Sequence, residues 1–142
     1  QFFRRTITAF FIFLSLPAFA NNLDITQEQA EKLGQAEILF TMKGSNTIGE
    51  KLAPALAEKY LLELGATETD IIKTHPVEKT VVGTMPSGNI QAVSIKAHGS
   101  STGFKALADS DTDIAMSSRR VKDKERQSLM SQYGDLKAMD NE

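Results

Sequence analysis

The stretch Ile95-Lys96-Ala97-His98-Gly99-Ser100-Ser101-Thr102-Gly103-Phe104-Lys105 constrains this chain more than any other. It reads as the end of a strand, a tight turn rich in hydroxyls and the start of a helix. A strand that turns directly into a helix belongs to a layered α/β sheet. The turn also presents unpaired N–H groups at a helix N-terminus, where the dipole adds roughly half a positive charge. Met42-Lys43-Gly44-Ser45-Asn46-Thr47 and Ile114-Ala115-Met116-Ser117-Ser118-Arg119 repeat the pattern. One such turn alone is explained by helix capping, for which Ser, Thr and Asn are preferred at about 1 kcal/mol each. Three of them, each straight after a strand, are expected to lie on one edge of an open sheet and to converge on one small oxyanion. Arg119 is the cation beside them and can give an oxyanion two parallel hydrogen bonds.

Composition narrows the chemistry. The chain has 142 residues and no cysteine, which excludes thiol and disulfide chemistry. Its two histidines, His75 and His98, are far apart in sequence, which argues against a His-based metal site, and no metal or cofactor is expected. The net charge of −2 argues against a nucleic-acid surface, and Arg119-Arg120 is too small to count as a basic patch.

Residues 1–20 have the three parts of a secretory signal: Arg4-Arg5, the apolar run Ile7–Leu16, and Ala18-Phe19-Ala20 after Pro17. The run is too short to span a bilayer comfortably, since a span takes about 20 residues. Cleavage is expected before Asn21, so the protein is expected to be exported to a periplasm and to meet the membrane only through its signal. Loss of Arg4 and Arg5 takes Lys plus Arg from 16 to 14 against 18 acidic residues, a mature charge of −4. The chain starts with Gln and ends at Met139-Asp140-Asn141-Glu142, which suggests a fragment truncated at both ends.

Residues 21–35 read as a polar leader with one helical turn at Thr26–Leu33 closed by Gly34. Ala36–Met42 is a strand. Thr47 and Glu50 fit a capping box. The helix behind them runs to about Leu64, with Leu52, Leu56, Tyr60 and Leu64 on one face; Pro54 either kinks it or starts its regular part, leaving Ile48–Ala53 as a looser turn. Thr69–Val77 is ambiguous, with Asp70–Lys73 a candidate short strand within it. Thr80–Gly83 and Ile90–Ile95 form a hairpin across Met85-Pro86-Ser87-Gly88-Asn89. Gly103–Asp109 is a short helix and Thr112–Met116 a short strand, and Ser118 caps a helix over Val121–Tyr133 with Val121, Leu129 and Met130 as its thin apolar face.

Two enzyme motifs nearly appear. Gly99-Ser100-Ser101-Thr102-Gly103 fits the nucleophile elbow G-x-S-x-G, which would make Ser101 the nucleophile of an exported serine hydrolase, but no His follows it. Gly44–Lys51 departs from a P-loop because Glu50 stands where the motif needs Lys.

In these motifs, from about Ile38 to Glu142, the chain resembles the substrate-binding proteins of phosphate ABC transporters, within the two-lobed periplasmic-binding superfamily. The resemblance rests on Gly44-Ser45-Asn46-Thr47, His98-Gly99-Ser100-Ser101-Thr102-Gly103-Phe104 and Thr112-Asp113-Ile114-Ala115-Met116-Ser117-Ser118-Arg119, in that order. It implies an α/β fold over residues 36–142: the first lobe of a two-lobed domain, with a central mostly parallel sheet flanked by helices. It implies binding without catalysis, by a monomer that delivers inorganic phosphate or a related oxyanion to an ABC permease. By position, the ligand-binding residues would be Ser45, Asn46 and Thr47, then Ser100, Ser101 and Thr102, then Ser117, Ser118 and Arg119. One form of the family has Asp where this chain has Ser118. A carboxylate there accepts the proton of phosphate and repels sulfate, and Ser118 repels neither. A related branch adds a peptidoglycan-binding module. A surface or adhesion protein that keeps the fold without transport is the remaining alternative.

Overall fold

In a computed structural model, residues 24–134 are described. The expected signal at 1–20, the first residues of the leader and the segment 135–142 lie outside them. The described elements are α1 (Gln27–Gln35), β1 (Glu37–Gly44), a π-helical segment (Ile48–Leu52) that runs into α2 (Ala53–Glu63), β2 (Glu68–His75), β3 (Glu78–Thr84), β4 (Ile90–Lys96), α3 (Ser100–Ala108), β5 (Ile114–Met116) and α4 (Asp123–Tyr133).

The five strands form one sheet in the order β2-β3-β4-β1-β5. β1 pairs in parallel with β4 and with β5, whereas β3 pairs antiparallel with both β2 and β4. The fold is therefore α/β, but its sheet is mixed rather than mostly parallel. The reason is connection length. β2 and β3 are joined by Pro76-Val77 alone, and β3 and β4 by Met85–Asn89, while a parallel pairing needs a crossover of a dozen or more residues. The expected hairpin is present, and its turn is closed by Met85 N–H to Asn89 O and Gly88 N–H to Met85 O, both at 2.8 Å. The ambiguous stretch near Asp70 is a full strand, which pairs with β3 from Glu68 to His75.

The core lies on both faces of the sheet. On one, Ala53, Ala57 and Leu61 of α2 pack on Val81, Val93, Ile95 and Met116. The face expected to be buried is not: Leu52, Leu56, Tyr60 and Leu64 are 54%, 56%, 42% and 48% exposed. Small residues won the contact because α2 lies close to β3, so close that a Cβ on Gly83 would come 3.1 Å from the Leu61 Cβ. Pro54 sits in the first turn of α2, where its missing N–H costs little, and the wider π-helical turn precedes it. On the other face Ile72, Val82, Ile90 and Ala92 are covered by Ile25, Leu33 and Ala36. The leader is thus part of the fold, and α1 is fixed by a Thr26–Gln29 capping box and runs through Gly34 to end at Ala36.

Two caps differ from expectation. Thr47 makes no side-chain cap; Ile48 N–H donates instead to Ser45 Oγ at 3.4 Å. α4 starts at Asp123 rather than Val121, because Glu125 accepts the Lys122 N–H at 2.9 Å, so Ser118 lies outside that helix. Leu129 is buried in α4, but Met130 is exposed.

Candidate functional site at the carboxyl edge of the sheet

β4, β1 and β5 are adjacent and parallel, so their carboxyl ends share one edge. The three hydroxyl turns leave from there and are bonded to one another. Ser45 N–H donates to Met116 O at 2.9 Å, and Gly99 N–H donates to Gly44 O at 2.7 Å. Asn46 Nδ2 donates to Ala97 O at 2.5 Å, and Ser118 N–H to Ser100 Oγ at 3.4 Å. Arg119 Nη2 donates to Ser101 Oγ at 2.7 Å.

Two glycines allow this approach. Gly44 has φ +138°, and a Cβ there would collide with the Met116 carbonyl. A Cβ on Gly103 would sit 2.5 Å from Lys43 O, so α3 rests directly on the backbone of β1.

The nine predicted residues divide by what they are free to do. Ser45 is buried, at 2% exposure, and its backbone and hydroxyl hold the first turn. The Thr102 hydroxyl is spent on Gly99 O at 2.7 Å, and the Ser117 hydroxyl on Arg119 O at 2.6 Å. Asn46, Thr47, Ser101 and Ser118 are exposed, and Ser100 is half-buried. Among the described residues, the backbone N–H groups of Asn46, Thr47, Ser100 and Ser101 have no hydrogen-bond acceptor. They form two adjacent helix starts with outward donors, the arrangement that suits an anion.

Arg119 is held by a partner that its sequence position did not reveal. Its guanidinium pairs with Glu125 through Nη1–Oε2 at 2.9 Å and Nη2–Oε1 at 2.6 Å, and lies 5.4 Å over the Phe104 ring. The Arg119 hydrogen bonds hold the Glu125 carboxyl down to about 2; burial opposes them, and the Lys122 N–H and Ser101 hydroxyl add to them. A carboxylate held so low is a weak base, so Glu125 does little to activate the Ser101 hydroxyl beside it. A signal was available in the sequence, since an acid at the first turn of a helix suits the dipole.

The histidines are a second departure. The turn between β2 and β3 places His75 opposite Glu78, and Glu78 pairs with Lys96, two residues before His98. His98 Nε2 and Glu78 Oε1 are 2.7 Å apart, and the two imidazole centroids 5.9 Å. Separation in sequence therefore did not mean separation in space.

No helix of the described residues is long and apolar enough to cross a membrane. No protein-family model, curated protein or solved structure matches this chain.

Proposed function

We propose that the protein is an exported binding protein for inorganic phosphate or a similar small oxyanion, which it would deliver to an ABC permease. The observation that carries the reading is the junction of the three turns, with four unpartnered N–H groups at two adjacent helix starts and Arg119 alongside. Thr47, Ser100 and Ser118 would add hydroxyl donors, and Ser45, Thr102 and Ser117 would hold the turns in place. The free donors are neutral, because the Nη hydrogens of Arg119 already go to Glu125, Ser101 and the Arg120 carbonyl, and this suits a ligand that must be released again. They lie open along the edge, as the first lobe of a two-lobed domain would present them before a second lobe closes.

A thermal-melt titration with phosphate, with sulfate alongside, tests this. A ligand that binds only the native state adds RT ln(1 + [L]/Kd), about 2.7 kcal/mol at a hundredfold excess over Kd. A rise with phosphate supports the reading, a rise with both anions widens it to oxyanions, and no rise with either rejects it. The hydrolase alternative is tested by a fluorophosphonate probe, which should leave Ser101 unlabelled.

A further inference from the structure

We propose that His75, Glu78 and His98 form a divalent transition-metal site, best suited to Zn2+, from side chains other than the nine predicted for the oxyanion. Each offers one ligand atom, and the three atoms lie within 4.8 Å of one another. Two imidazoles and one carboxylate are a donor set for zinc with a coordination position left over. The ligands come from a rigid part of the sheet. His75 and Glu78 flank the two-residue turn between β2 and β3, with a register shift between Lys73 and His75 that re-aims the end of β2. Ala97 N–H donates to Val77 O at 2.8 Å, which fixes the chain just before His98 against that same turn.

The side chains are placed to take an ion from solution. His75 is exposed, and the side chains of His98 and Glu78 are 42% and 26% exposed. The His75 ring lies beside the His98 ring and accepts one long hydrogen bond, 3.4 Å from Val77 N–H to Nδ1, so little opposes its turning toward a metal. Glu78 and His98 also line a groove of about 520 Å³, together with Lys43, Lys96, Thr102 and Lys105. Asp111 pairs with Lys43, and Asp109 with Lys105. Lys96 is the lysine whose charge acts on Glu78, beside the two imidazoles, and it opposes a metal there.

The competing reading is a plain Glu78–His98 ion pair, which would bind no metal. Titration calorimetry of the untagged full chain with Zn2+ separates the two. The expected result is one ion per chain at micromolar affinity or tighter, and a tetrahedral ligand-field spectrum with Co2+. His75→Gln, His98→Gln and Glu78→Gln should each weaken binding at least about tenfold, since loss of even a supporting partner costs that much at a metal site. Lys96→Gln should tighten binding, and Glu63→Gln, far from the cluster, should leave it unchanged. Far-UV circular dichroism of each variant keeps the comparison among folded chains. Lack of binding at millimolar Zn2+, an octahedral Co2+ spectrum, or binding that survives either histidine change would overturn the proposal.

Discussion

Arg119 and Glu125 face each other as fork and carboxylate, with both nitrogens engaged, at 2.9 and 2.6 Å. The pair ties the turn after β5 to the first turn of α4, and Ser101 on α3 joins it through Arg119. Both side chains are largely covered, at 31% and 15% exposure, so the pair is worth more than an open surface ion pair.

Glu125→Gln should therefore destabilise the fold by about 1–2 kcal/mol, less than the full carboxyl shift implies because solvent still screens the pair. The sign of the pH dependence follows from a folded-state value of about 2 against an ordinary 4.5. The stabilisation is present above the ordinary value and is lost as pH falls through about 2. Urea midpoints from neutral pH down into that range should fall for the native chain more steeply than for the variant. Parallel curves would show that Glu125 is not held by Arg119.

At Gly103 the expectation is steric. A Cβ 2.5 Å from Lys43 O must push α3 off β1 or distort the strand end. Gly103→Ala should cost about 1–3 kcal/mol, although alanine is the better helix former. The same change at Gly34, where a Cβ meets nothing within 4 Å inside α1, should be neutral or stabilising. Denaturant melts of the two variants should show a loss at Gly103 and none at Gly34 if the close approach is real.

Ser100 links the second and third turns through the Ser118 N–H, and its own proton remains available. On the proposed function, Ser100→Ala should weaken phosphate binding by about 1–3 kcal/mol, the cost of leaving a bound ligand atom unpaired. Calorimetric Kd values for the two chains measure this, and equal values would remove Ser100 from the site.

The three-turn arrangement was legible because each turn carries a strand end and a hydroxyl cluster, and the first two run straight into a helix; the third does not, since α4 starts only at Asp123. Shared direction of β1, β4 and β5 then places them together without further information. Partners contributed from elsewhere were not legible. Glu125 reads as an ordinary helix-start acid until the fold lays it on Arg119, and His75 meets His98 only through the pairing of β2, β3 and β4. Capping was misjudged by two residues at Thr47 because Ser45 already accepts from the helix start, and short loops turned a sheet expected to be mostly parallel into a mixed one.

The face of α2 is the sharpest difference and gives a direct test. Leu52, Leu56, Tyr60 and Leu64 recur every four residues and read as a core stripe, yet the helix turns Ala53, Ala57 and Leu61 to the sheet. Periodicity alone cannot choose between two apolar stripes; the distance to the sheet chooses, and it favours the stripe with alanines. Leu61 is fully buried, so Leu61→Ala should cost about 2–5 kcal/mol through lost transfer energy and a cavity. Leu56 is 56% exposed, so Leu56→Ala should cost within about 0.5 kcal/mol, as ordinary surface changes do. Urea unfolding of both variants decides the matter. A large loss at Leu56 with a small one at Leu61 would mean that α2 is rotated by about a quarter turn, since neighbouring helix positions stand about 100° apart.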